Sequence, residues 1–535
     1  MKPIYLLIGC ALAGATPAAQ AQTQHQDTTL NRTVVVEQEY NPIIHDAAKV
    51  NVLPRVEPLS ASKKEVEYAT GLAPASSIPA PVMQAYNAKE RPDKALPGYA
   101  RLGYGSSGNL DLLAAYGFRF TPQDRLNLQL GMDGMNGEVD ADNPWDSYYY
   151  RTRAAIDYLH TFKQTDLRIG GNFGLSNFNF RPLYPEGNGK QKFTSGDVHF
   201  GLQSHKGLPI QYQVEAGVML YNRQADYRLQ PENDELQVYV KGVAEGAINA
   251  TQRVGIRYDL RAVTDSSSLY AFNLAPYFSY QNDDWSLHLG ANVDPSFGRE
   301  KKFHVAPDVK VLYTFADSYQ LYAQATGGRI LNDFRRLEML HPYIEVNPLA
   351  CSTYEQLNAA VGFKASPVSG LWIHLYGGYQ NLQEDLMPYY QPDGEIGARM
   401  ACAQGDTHNT YAGAALSYDY KQLFGFSAEG IYRSWGISQT PGEAFLYFKP
   451  RVEASLAMDF RPIPAALITL GYRHVVREGD STDDVSDLHL RGSYELLPGI
   501  SLYVSAHNLL DKKYERYEGY AAEGINFVGG VAFRF

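Results

Sequence analysis

Side chains that alternate between apolar and polar for more than four hundred residues limit this chain more than any other feature. In the last stretch, Ile525, Phe527, Gly529, Val531, Phe533 and Phe535 share one face, while Asn526, Val528, Gly530, Ala532 and Arg534 share the other. A strand sends successive side chains to opposite sides, so this segment has one apolar face and one small or polar face. The same alternation sets Val452, Ala454, Leu456, Met458 and Phe460 against Arg451, Glu453, Ser455, Ala457 and Asp459. Leu488, Leu490, Tyr494 and Leu496 stand against His489, Arg491, Ser493 and Glu495. Tyr212, Val214, Ala216, Val218 and Leu220 stand against Gln211, Gln213, Glu215, Gly217 and Met219. Charges on one face and aliphatics on the other suit a strand with lipid outside and water inside, and about ten tilted residues cross the hydrocarbon layer. A soluble sandwich would turn its apolar faces inward and stop after about seven strands. The expected fold is therefore all-β, a transmembrane antiparallel β-barrel.

Twenty-two strands are expected, beginning near 97, 108, 124, 148, 164, 193, 208, 235, 250, 268, 283, 303, 318, 353, 369, 408, 423, 447, 464, 485, 499 and 524. The connections alternate in length. Thr121–Asp124, Lys163–Asp166, Ser366–Ser369, Arg461–Pro464 and Leu497–Gly499 read as tight turns. Longer loops fall near 137–147, 179–192, 328–352, 384–407, 437–446 and 508–523. Short turns on one side and long loops on the other are the barrel pattern, and an even count returns both ends to the periplasm. Closure also removes the open edges of so large a sheet.

Composition agrees. The 40 Tyr residues and 13% aromatics suit interfacial girdles, where a ring has one apolar and one wet end. Past the N-terminus no run of about 18 apolar residues occurs, which excludes transmembrane helices. A net charge of −11 argues against nucleic acid as a partner and is compatible with acidic loops at a bacterial surface, while the outward apolar faces are expected to meet outer-membrane lipid. Met1–Ala21 reads as a secretory signal, with Lys2, an apolar Ile4–Ala13 and a small-x-small site at Ala19–Ala21. Its removal takes Cys10 away and leaves Cys351 and Cys402 in an oxidising compartment, where they are expected to form a disulfide.

Three regions follow: the signal peptide 1–21, a segment 22–96 and the barrel 97–535. Pro54, Pro58, Pro74, Pro79, Pro81 and Pro92 make the middle segment extended, because Pro fixes φ and removes a donor. Within it Thr33, Val34, Val35 and Val36 form a β-prone tetrad.

Two stretches resemble TonB-dependent outer-membrane receptors. Asn508-Leu509-Leu510-Asp511-Lys512-Lys513-Tyr514 is similar to the N-L-x-D-x-x-Y of their penultimate hairpin. His341–Ile344, Asn347-Pro348-Leu349 and Thr353-Tyr354-Glu355 resemble an N-P-x-L-x-P-E…Y-E stretch found in their barrels. The Tyr-rich style is similar to Bacteroidetes members. The resemblance implies solute uptake across the outer membrane, with Thr33–Val36 as a TonB box joining a partner sheet by strand addition. It also implies that Phe527, Val531, Phe533 and Phe535 serve as the terminal signal for barrel assembly. The departure is the plug: about seventy-five residues precede the barrel, fewer than these receptors use. A wide barrel needs filling, so the segment 22–96, the inward side chains or another protein must supply it. The second reading is a non-transporting accessory or scaffold barrel of an envelope complex. TonB or another periplasmic or outer-membrane protein is the implied partner, and the solute is unspecified.

Catalysis finds no support. Arg451, Glu453, Asp459, His489, Arg491 and Glu495 face inward, as polar lumen residues do in any barrel. Asp140, Asp142 and Asp146 in one loop, and Asp480, Asp483 and Asp484 in another, could hold a hard cation through carboxylate oxygens, although solvated acidic loops are the commoner arrangement. No Cys/His spacing indicates zinc, and no cofactor is expected.

Overall fold

The computed structural model describes residues 96–535, apart from 139–145, 180–189, 226–232, 345–350, 394–396, 439–445, 447–448, 480–483, 518–519 and the single positions 317 and 422. Of the segment 22–96, residues 22–95 lie outside the described residues, as does the signal peptide 1–21.

Twenty-two strands form one closed antiparallel sheet. From Gly98–Gly105 to Ile500–His507 each strand pairs with the next in sequence. The last strand, Asn526–Arg534, pairs with Ile500–His507 on one side and with Gly98–Gly105 on the other. Tyr99 stands opposite Arg534 in this seam, and Gly98 and Phe535 exchange backbone hydrogen bonds of 2.8 and 3.1 Å. Closure satisfies the backbone groups that an open sheet would leave bare.

The two faces divide as the alternation requires. Leu102, Phe173, Val198, Leu220, Val305, Val361, Leu456, Met458, Leu490 and Phe533 are all exposed on the outside. Such a belt is tolerable only against lipid, since soluble proteins rarely expose apolar patches beyond a few hundred Å². Near the short turns Trp285, Tyr313, Phe315, Tyr319 and Phe363 follow one another across four strands, their ring centroids 4.6, 5.8, 5.5 and 6.1 Å apart. That row is one arc of an interfacial girdle.

Tyrosine is not confined to girdles, however. Tyr239, Tyr277, Tyr322, Tyr376, Tyr411 and Tyr503 lie on the inner face, several lying over a glycine of the neighbouring strand. A Cβ at Gly217 would come 2.6 Å from the Tyr239 hydroxyl, and one at Gly362 would come 2.3 Å from the Tyr322 ring. Only a residue without a side chain lets the ring lie flat on the wall at these two positions.

One strand begins far from its expected position. The pair Leu371–Asp393 and Gly397–Tyr420 runs to 23 and 24 residues, so most of the expected loop 384–407 is strand. The register shifts between Leu382 and Asp385, and this bulge breaks the alternation just where the hairpin leaves the membrane.

Candidate functional site

The lumen is lined by paired charges. Arg151 meets Asp133 at 2.6 Å, Lys241 meets Glu215 at 3.1 Å and Arg253 meets Glu245 at 2.8 Å. Tyr239 and Tyr277 donate to the same two glutamates at 3.0 and 2.8 Å. Asp308 accepts from both Arg257 and His288. The first three pairs, partly exposed, contribute little to stability, whereas the Asp308 carboxylate is buried. Their effect is a wall that water and polar solutes can wet.

Among the described residues, one connection crosses the outer mouth of this lumen. It leaves the strand Tyr319–Ile330, forms the short helix Phe334–Leu340, and comes back to the strand Thr353–Ala365. Asp333 caps the helix by accepting from the Arg336 N–H at 2.8 Å. The helix does not rest near its own strands. Phe334 and Leu337 are buried against Phe178, Phe193 and Tyr221, which project inward from strands six to eight places before Tyr319–Ile330 in the barrel order. Glu338 accepts from the Tyr221 hydroxyl at 2.6 Å and from Ser176 at 2.9 Å. Gln237 donates to Asp333 at 2.8 Å, and the Phe334 N–H donates to Glu235 at 3.2 Å. Arg223 donates to the Ile344 carbonyl and stacks on Phe193 at 4.7 Å.

The far end of this bar meets a second loop. Glu515–Tyr517 and Tyr520–Ala521 form a small hairpin before the last strand. Tyr343 stacks on Tyr520 with centroids 3.5 Å apart and planes 8° from parallel, and His341 lies 4.9 Å from the Tyr517 ring. Arg477 donates to the carbonyls of Glu515 and Arg516, both at 3.0 Å, tying the hairpin to the wall. The bar is therefore anchored by side chains at both ends and spans the opening between them.

His341 gives the bar a pH response. Burial, helped by the charges of Arg477 and Arg223, pushes its imidazole down to about 3, and Nδ1 accepts from the Tyr343 N–H at 3.3 Å. The folded bar thus holds neutral histidine, whereas the released loop titrates near the ordinary value of about 6.5. The released form binds more protons between those values, so stability is complete above about pH 6.5 and is lost as pH falls towards 3. The slope approaches roughly 1.4 kcal/mol per pH unit. Hydrogen exchange of amides 334–344, corrected for intrinsic rates, should show the opening free energy dropping by about 2 kcal/mol between pH 6.5 and 5. A flat profile would rule out a neutral buried imidazole.

The residues singled out in the sequence fall as follows. Phe527, Val531, Phe533 and Phe535 share the outer face of the closing strand, with the three phenylalanines exposed. Thr33, Val34, Val35 and Val36 lie outside the described residues, as do Asp140, Asp142, Asp480 and Asp483. Cys351 and Cys402 are free thiols, and the expected bridge is not formed. Cys351 is held through its backbone, which donates to Gln404 at 2.7 Å and accepts from it at 2.8 Å. The Cys402 thiol instead turns to the Ala403 carbonyl at 3.8 Å and packs on the aromatic cluster of the bar. The inward polar residues do not gather into one set. Glu453 pairs with Arg433 at 3.9 Å and Glu495 with Arg534 at 3.8 Å, while Asp459 accepts from Thr469 at 2.5 Å. His489, in contrast, joins Asp487 and His507 in a cluster near the outer rim.

Solved structures share this barrel. The copper transporter OprC superposes with a TM-score of 0.62 at 14% identity, over 82% of this chain and 81% of its own. The FrpB iron transporter of Neisseria meningitidis gives 0.65 at 10% identity, over 83% and 81%. The pyoverdine receptor FpvA of Pseudomonas aeruginosa PAO1 gives 0.58 at 14% identity, over 82% and 79%. The fold is that of the TonB-dependent outer-membrane receptors. No family model matches the sequence, and no curated protein matches it. At 10–14% identity the likeness is one of fold.

Proposed function

We propose that this chain works in the bacterial outer membrane as a receptor-like barrel, admitting a scarce solute with energy drawn through TonB, and that it is not an enzyme. The observation that carries this reading is the bar across the outer mouth of a wide, water-compatible lumen. A barrel serving only as a scaffold has no use for an anchored crossing that narrows its opening, whereas an uptake route does. Thr33–Val36 is the proposed contact with TonB, through backbone pairing at a sheet edge.

A photo-crosslinker at position 34 or 36, in cells making the full chain, tests this contact. Capture of TonB is the expected result, and Val35→Pro should abolish it by removing a backbone donor while leaving the barrel folded. Capture of a different envelope protein, with no TonB adduct and no dependence on the proton gradient, would replace uptake with the scaffold reading.

A further inference from the structure

We propose that Asp487, His489 and His507 form a binding site for a borderline divalent transition metal, of the Zn²⁺, Co²⁺, Ni²⁺ or Cu²⁺ class, on the inner wall just below the outer rim. The strand Val485–Leu497 sends Leu490 outward, so Asp487 and His489 face the lumen together. The tight turn after it fixes the register with Ile500–His507, where Leu490 stands opposite Ala506. One step further along the same register brings His489 beside His507, with imidazole centroids 5.6 Å apart and rings 26° from parallel. One carboxylate and two imidazoles, drawn from two adjacent strands, thus converge from residues eighteen positions apart in sequence.

The spacing identifies the ligand. Nδ1 of His489 lies 3.6 Å and Nδ1 of His507 lies 3.8 Å from Oδ2 of Asp487. These separations are too long for hydrogen bonds. Two donor atoms that each sit about 2.0–2.2 Å from one tetrahedral ion are about 3.3–3.6 Å apart, so side-chain shifts of a few tenths of an ångström would close the set on an ion. All three donor atoms lie within 4.8 Å of one another. Nδ1 of His489 is buried and makes no hydrogen bond, which leaves it available to an ion.

The outer atoms of the set are already engaged, as in a prepared metal site. Nε2 of His507 lies 2.9 Å from the Ser505 hydroxyl, and Oδ1 of Asp487 accepts from the Asn508 N–H at 2.7 Å. These contacts turn the remaining donor atoms toward the centre. Nitrogen-rich sets of this composition favour transition metals over Mg²⁺ or Ca²⁺, which prefer oxygen. Three protein donors leave further positions to water or to a passing ligand. Arg473 stands opposite Asp487 in the register and its charge works against a cation there, so the carboxylate and two neutral imidazoles must outweigh it.

The test uses untagged full-length protein, folded in detergent, and titrates it with Co²⁺ while following visible d–d absorption, then repeats the titration with Zn²⁺ by calorimetry. One ion per chain is expected, with the intense visible band of a four-coordinate nitrogen–oxygen set. His489→Gln, His507→Gln and Asp487→Asn should each weaken binding at least tenfold, while Mg²⁺ should not compete. His199→Gln is the control, because His199 faces the lumen with Asp197 at 2.9 Å and belongs to no such triad. Heat-modifiable gel mobility confirms that each variant is folded, and the three substitutions differ enough that all failing to fold would not be expected. Wild-type protein that binds no Co²⁺ would overturn the site, as would equal binding by all four variants. The readout is metal affinity alone, so it stands or falls independently of uptake and of TonB.

Discussion

Leu456→Arg should cripple barrel assembly, whereas Ser455→Arg, one residue away, should not. Leu456 is 43% exposed on the outer face, and Ser455 faces the water-lined interior. A guanidinium at mid-membrane costs about 2–4 kcal/mol, falling toward zero near the interfaces. Leu490→Arg and Phe533→Arg should follow the same rule according to their depth, while Ser493→Arg should be tolerated. Quantitative refolding into vesicles, read by heat-modifiable mobility, measures the effect. Equal tolerance on both faces would mean that the outward belt does not meet lipid.

Phe334→Ala should release the bar while leaving the barrel closed. Phe334 is 3% exposed, with its ring set edge-on to Tyr221 at 5.8 Å and 80°. Truncating a buried Phe typically costs about 3–5 kcal/mol, which multiplies the open population of the loop by a factor of about 100 or more. Arg335 and Arg336 then become accessible to trypsin, since cleavage tracks the opened state when reclosing is fast. Faster cutting at these two bonds, with unchanged heat-modifiability of the barrel, is the expected outcome. Cleavage at the wild-type rate would show that the bar is held by something other than its aromatic contacts.

The barrel was legible because each strand obeys a local rule. Alternation gives face, tight Pro- and Gly-containing turns give the periplasmic ends, and twenty-one of the expected starts fall within three residues of a strand's first residue. The exception, expected near 408 and found at Gly397, lies past the bulge in its partner strand, where no membrane imposes alternation. The helix Phe334–Leu340 escaped because seven residues hold too little periodicity, although Asp333 before Phe334 is a capping signal that could have been used. The bar's anchors were beyond reach for another reason. Tyr221, Glu235 and Gln237 look like any inward residues until a loop from across the barrel arrives. The His489–His507 pairing was hidden because a count outward from the turn at Leu497–Ile500 sets His489 opposite Asn508, and only the register shift between Glu495 and Leu497 moves it to His507.

The seam between the first and last strands also governs the order in which the chain can fold. Every other pairing joins neighbours in sequence, so the sheet can grow hairpin by hairpin with low contact order. Tyr99 and Arg534 are different: their pairing closes a ring through the whole barrel, and nothing local guides it. Until that step both edges stand ready to capture a foreign strand. Asp111, held by Arg101 at 2.7 Å within the first hairpin, then accepts from the Tyr503 hydroxyl at 2.9 Å, and that contact locks across the joint from inside. By contact order, strand addition between these distant ends is expected to be the last step of assembly. A chain that stalls before residue 526 remains an open ribbon, recognisable to quality control by the two edges it has failed to join.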